Sequence, residues 1–332
     1  MKLLSVLFLP LLIGACSADA RTFDPHDPRA PLHLVRSIGL PHVSGRADHM
    51  ALDPRSKHLF VAEYGNGSVD EIDLGLGKVV GRIAGLHEPQ GVAWLPRQQE
   101  IAVASGDGLV GFYRGSDRQQ VASPKLGDDA DNVRVDERNG NLVVGYGSGA
   151  LAVVDPAIHR VIRQLRLPGH PEAFELLGGR AFVNVPDARA ILIGDLDRGR
   201  VLTKLSTGTR LSNYPMAANA SGSRIAVAYR VPGSLSVMDA GSGASVYSTA
   251  ICGDADDLYF HGDQVVVICG SGAIELIDNA GAHAKMAVAT QRGARTGLLD
   301  PAADKLYVAV PAGRTAASIW ELSFGEVQQR SR

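Results

Sequence analysis

The sequence predicts an all-β chain, a seven-bladed β-propeller of four-stranded antiparallel blades with the ring closed by its N-terminal strand. Three observations carry this. Short runs rich in Val and aromatic residues alternate with Gly, Asn, Asp and Pro turns, and no long run keeps a helical period. Seven of these runs recur in order: "HLFVAEYG", "EIAVASGDG", "NLVVGYGSG", "RAFVNVP", "RIAVAYR", "QVVVICGSG" and "KLYVAVPAG". One aligned residue per repeat gives Asp48, Pro89, Asp131, Pro171, Tyr214, Asp256 and Arg295, in steps of 41, 42, 40, 43, 42 and 39 residues. That is the period of propeller blades. One such sheet cannot cover both of its faces, whereas packing the repeats radially covers them and leaves few exposed edges.

Taken in order, residues 1–20 are expected to be an export signal. Lys2 precedes an apolar run, 3–15, that is too short to span a bilayer comfortably. "IGAC" at 13–16 has the form of a lipobox with Cys16 as the lipidated residue, and "ADA" at 18–20 fits a cut before Arg21. Both readings place the mature chain outside the cytoplasm, periplasmic or held to a membrane by a lipid. Residues 21–31 are Pro-rich and polar and read as a linker, 32–325 as the propeller and 326–332 as a tail. The strand-like "LHLVRSIGL" (32–40) is expected to complete the last blade beside "SIWELS" (318–323). Trp94 and Trp320 lie in strand-like runs and are expected to pack between blades.

Of three cysteines, Cys252 and Cys269 remain once Cys16 is lipidated or removed. They fall on the loop entering the sixth blade and at the end of that blade's second strand. They are read either as a disulfide suited to an oxidising compartment or as two buried thiols.

Composition excludes several classes. The formal net charge of -2 and the absence of a polybasic run argue against a nucleic-acid partner. There is no G-x-S-x-G elbow, Walker loop, zinc-spaced Cys/His cluster or CxxCH haem site. The "GNGS", "GDG" and "GSG" strings are hairpin turns, since no helix follows them.

"LFVAEYGNGSVDEIDLGLGKVVGRI" (59–83) carries an aromatic-Val strand, a Gly-Asn turn, a Val-x-x-Ile-Asp strand and Lys-Val. It resembles the YVTN-type repeat of the YncE-like seven-bladed propellers. "ALAVVDPAIHRVIRQL" (150–165) and "SLSVMDAGSGASVYS" (234–248) repeat its second half. The resemblance covers nearly all of 46–322. It implies the propeller fold and leaves function open, because members of this architecture do many things.

The propeller geometry gives the polar residues a place. "RADHM", "DADNV" and "DADDL" are sister copies that enter the first, third and sixth blades. Seven such loops converge on the axis. The expected ligand-binding residues are therefore Asp48, His49, Gln90, Asp131, Asn132, His170, Glu172, Asn213, Tyr214, Asp256, Asp257 and Arg295. Tyr64, Tyr146, Tyr229, Arg230 and Asp187 are expected on turns of the same face. Together they describe a polar, net-acidic funnel for a small molecule, a metal ion or a partner protein.

A divalent cation such as calcium needs six to eight oxygens, and Asp131, Asn132, Glu172 and Asp257 are the candidate ligands. The alternative function is a metal-dependent hydrolase of the lactonase type with its ion at the propeller centre and His49 or His170 as base. An Asp entering a strand also caps the backbone of its own loop, and Arg230 or Arg295 can neutralise converging carboxylates without a metal. The chain is expected to act as a monomer.

Overall fold

The computed structural model describes residues 21–279 and 285–325. Seven sheets follow one another along the chain, at 50–84, 89–122, 130–166, 174–206, 211–250, 255–289 and 297–324. Successive strands within each sheet pair antiparallel through hairpins. Two three-residue 3₁₀ turns, Tyr64–Asn66 and Pro186–Ala188, are the only helical segments among the described residues.

The middle strands explain the continuous apolar runs. Glu100–Ser105, Arg180–Val185 and Gln264–Cys269 are buried along almost their whole length. Each is covered on both faces by neighbouring blades, so strict alternation disappears. The outermost strands, Arg160–Arg166 and Arg200–Ser206, are mostly exposed and carry Arg and Lys, which guards a free edge.

The core is a ring of seven interfaces. Phe60 and Val69 of the first blade pack with Val92 and Ile101 of the second. Comparable clusters join the second to third, third to fourth, fourth to fifth, fifth to sixth and sixth to seventh blades. The last cluster places Ile319 and Ala309 of the seventh blade against Leu59 and Ile72 of the first, so the circle is complete. Trp94 stacks on Phe60 with ring centroids 5.6 Å apart, and Trp320 packs at the sixth–seventh interface.

Ring closure takes the form the sequence predicts. Leu32–Gly39 is the outer strand of the seventh blade, antiparallel to Ser318–Phe324, with Leu32 opposite Phe324 and Gly39 opposite Ser318. The linker expectation for 21–31 needs correction. Arg21–Phe23 pairs parallel with the edge strand of the sixth blade and gives that blade a fifth strand. The three residues contain a β-branched and an aromatic side chain and no proline, so they suit an open edge. Polar turns at Asp24 and Asp27 then lead back to the closing strand. The expected signal with Cys16, and the tail at 326–332, lie outside the described residues.

Candidate functional site

The first strand of each blade lines the axis, and four of the seven are irregular near their start. Register shifts occur between Pro89 and Val92, Ala130 and Val133, Asn213 and Met216, and Ala255 and Asp257. Such bulges re-aim side chains. Just before each of them a non-glycine residue takes the left-handed conformation, at Glu88, Asp129, Ser212 and Asp254. Aspartate tolerates that region better than most residues. The blades also crowd together here. A Cβ on Gly91 would meet the backbone oxygen of Asp131 at 2.1 Å.

These strands surround a cavity of about 420 Å³. Asp48, His49, Gln90, Asp131, Asn132, His170, Glu172, Tyr214, Asp256, Asp257 and Arg295 all line it. Asn213 does not. It is buried, and its amide donates to Asn184 Oδ1 at 3.0 Å and to the Ala190 carbonyl at 3.1 Å, tying the fifth blade to the fourth. The turn residues Tyr64, Tyr146, Tyr229 and Asp187 are also absent from the wall. Tyr146 ends its blade's second strand and Tyr229 lies two residues before the end of its own, and both pack into blade interfaces. The aromatic wall is instead Tyr214, Tyr259 and Phe260.

Arg46, Arg134, Glu175 and Tyr259 are lining residues that the sequence reading missed. For the last three the signal was strand alternation. Arg134 lies two residues beyond Asn132, and Tyr259 two beyond Asp257, so each shares its partner's axial face. The cavity therefore continues along the axis past the loops.

The site has two charged halves. On one side Arg230 and Arg295 form a lattice with Asp254 and Asp256. Arg230 donates to Asp256 Oδ1 and lies 3.3 Å from Asp254, while Arg295 lies 3.0 Å from Asp256 and 3.2 Å from Asp254. The Arg230 guanidinium also covers the Tyr214 ring at 4.3 Å. Cys252 and Cys269 are joined as a disulfide with Cα atoms 6.0 Å apart, which fastens the loop carrying Asp254 to the second strand of its blade.

On the other side lie Asp48, His49, Asp131, His170 and Glu172. His49 Nε2 is 2.9 Å from Asn132 Oδ1. Arg46 donates to Asp48 Oδ1 at 2.7 Å. His170 Nδ1 donates to the Gly147 carbonyl at 2.7 Å, and its Nε2 lies 3.8 Å from Asp131. Two polar atoms here are buried and have no partner, His49 Nδ1 and Asp131 Oδ1.

Crowding and burial hold protons on this half. Burial, reinforced by Asp131, pushes the Glu172 carboxyl up to about 8. Burial and Asp256 push Asp257 up to about 7, and burial with Asp131 pushes Asp48 up to about 6. For His170 burial disfavours the charged ring. Asp131, the Gly147 carbonyl and Asp129 outweigh it and hold the ring up at about 9.

The candidate ligand set Asp131, Asn132, Glu172 and Asp257 is only partly free to share an ion. The Asn132 amide oxygen faces His49, and Asp257 Oδ2 accepts from the Gly297 backbone N–H at 2.8 Å. Neither Asp131 nor Asp257 caps its own loop through the contacts seen here. The described residues whose donor atoms do gather, within 4.8 Å of one another, are Asp48, His49 and Asp131.

No family model matches the chain, and neither does any curated protein. Among solved structures, a chain of Kuenenia stuttgartiensis hydrazine synthase is similar, with a TM-score of 0.72. It is 15% identical over 84% of this chain and 97% of that one. At that identity the likeness concerns the fold alone, and the fold is a seven-bladed β-propeller.

Proposed function

We propose that this chain is an exported binding protein whose axial funnel takes a small positively charged ligand. One observation carries the reading. Seven carboxylates line the cavity against four arginines, and the arginines are already opposed by acids. Arg46 faces Asp48, Arg134 lies 4.0 Å from Glu175, and Arg230 and Arg295 share Asp254 and Asp256. Asp131, Asp257 and Glu172 are left facing the cavity without an arginine of their own. A cation that enters replaces the protons that burial and repulsion hold on Asp257 and Glu172.

Export is supported by the apolar run at 3–15 and by the Cys252–Cys269 disulfide, which suits an oxidising compartment. Among the described residues no helix is long and apolar enough to cross a membrane, and the attachment we propose is a lipid at Cys16. The likeness of 59–83 to the YVTN-type repeat supports reading the chain as one of those propellers, and we read it as a monomer with no nucleic-acid partner. The hydrolase alternative draws no separate support from the geometry, because its ion-holding set is partly engaged elsewhere.

The test is thermal denaturation of the exported chain with matched panels of divalent ions, primary amines, carboxylates and neutral sugars. A ligand at about 100 times its Kd adds about 2.7 kcal/mol. Cations are expected to raise the Tm, and Glu172→Gln with Asp131→Asn to abolish the rise. Stabilisation by carboxylates or sugars, with none by cations, would contradict the reading.

A further inference from the structure

We propose that the cation is a divalent transition metal ion bound by His49 Nδ1, Asp48 and Asp131. This rests on reading the funnel as a cation site and names the ion's class and its ligands.

The first support is the state of His49. An amide oxygen only accepts, so Asn132 Oδ1 at 2.9 Å places the ring proton on Nε2. Nδ1 then carries the lone pair, and it is buried with no partner. Metal-ligating histidines are held in this way, with the far nitrogen donating to an oxygen that fixes ring and tautomer.

The second support is the pair of acids. Asp48 is 9% exposed and Asp131 8%. Arg46 holds Asp48 Oδ1 at 2.7 Å, and Asp48 Oδ2 lies 4.0 Å from His49 Nδ1. That gap is too long for a hydrogen bond. It is also wider than the about 3.3–3.6 Å between two ligands of a tetrahedral ion with bonds of about 2.0–2.2 Å, so an ion here would draw the two groups together by about half an ångström. Asp131 Oδ1 is a buried acceptor with no donor. One donor atom from each of the three residues lies within 4.8 Å of the others. The residues that carry the orphaned nitrogen and the orphaned oxygen thus belong to the same gathering and come from blades one and three.

Chemistry selects the ion. Asp131 and the oxygen of Asp48 that Arg46 does not hold offer two carboxylate oxygens, with the Arg46 charge offsetting that of Asp48. An imidazole nitrogen suits zinc better than calcium, which prefers six to eight oxygens. Three protein ligands leave further coordination positions toward the cavity, where Glu172 and His170 stand.

The experiment is isothermal titration of the full exported chain, free of any affinity tag, with zinc, manganese and calcium chlorides and with methylammonium. Zinc is expected to bind one per chain and at least about 100-fold more tightly than calcium. His49→Ala should weaken zinc at least about 100-fold. Asn132→Ala, which loosens only the ring's far nitrogen, should weaken it about 10–100-fold.

Pulsed electron paramagnetic resonance of the manganese-loaded wild-type chain is expected to show one coupled imidazole nitrogen, a readout that needs no variant to fold. Absence of that coupling, or zinc binding unchanged in a folded His49→Ala chain, overturns the assignment. If methylammonium binds and no divalent ion does, the metal inference fails and the cationic funnel stands. If nothing cationic binds, both fail.

Discussion

At the scale of single residues, the chain buries carboxyl groups in two different ways. In the first blade Asp70 is fully buried and meets Arg82 through two hydrogen bonds, at 2.5 and 2.7 Å. Glu63 beside it is also fully buried, and burial pushes its carboxyl up to about 8, with Ser68 as its hydrogen-bond donor and Asp70 as a repelling neighbour. Removing one partner of a buried pair leaves an uncompensated charge. Arg82→Ala is therefore expected to destabilise by about 3 kcal/mol, whereas Glu63→Gln, which replaces a group already neutral at pH 7, should cost far less. Urea denaturation measures both, and equal costs would contradict the protonation of Glu63.

In the funnel the same physics gives a pH dependence. Asp48, Asp257, Glu172 and His170 are all held above their ordinary values. From the ordinary carboxylate range up to about pH 9 the folded chain then binds more protons than the unfolded one. Stability without ligand must fall as pH rises through that window. Denaturation midpoints from pH 5 to 9 are expected to decline, and Glu172→Gln should flatten the part near pH 8. A midpoint that rises toward pH 8 would contradict these assignments.

At the scale of elements, the first strand of each blade both builds the ring and aims the site. The bulges that disturb pairing at Asp131 and Asp256 turn these residues toward the axis. The close approach at Gly91 lets the second and third strands of this inner ring meet. Gly91→Ala is expected to cost about 1–3 kcal/mol through overpacking and to displace Asp131, so it should weaken cation binding as well as stability. The disulfide is a second fastening. It spans 17 residues, and a loop of about that size is worth about 3 kcal/mol. Cys252→Ser is expected to lose about that much and to loosen the loop holding Asp254. A thermal scan with and without reductant checks this, and an unchanged Tm would contradict it.

Legibility in the sequence followed the same division. The repeat showed where each first strand starts, because turn residues and apolar runs recur in fixed order. It therefore brought Asp48, Asp131, Glu172 and Asp256 to one cavity. It could not show where a bulge falls. Asn213 shares the repeat position of Asp48's neighbours but turns into the blade four–five interface, where Asn184 receives it. Arg134 and Glu175 were readable in principle from alternation alone. Arg46 was not, since its role depends on reaching back to Asp48 across an irregular loop.

At the scale of the whole molecule, the ring has one seam. Blade seven is assembled from both ends of the described chain, and Leu32–Gly39 supplies its outer strand. Deleting 21–39 would strip the edges of blades six and seven and remove the buried Leu32 and Ile38, uncovering the core residues they pack with, Leu322 and Ile319 among them. The expected outcome is loss of cooperative unfolding rather than a small shift in midpoint.

The central claim is that the axial funnel is a cation site with His49 at its centre. Anomalous diffraction at the zinc edge, from crystals of the protein soaked in zinc, tests it most directly. The account predicts a single strong peak inside the funnel, about 2.0–2.1 Å from His49 Nδ1 and shared with Asp48 and Asp131. A funnel without anomalous density, with an anion resting instead against Arg230 and Arg295, would contradict it.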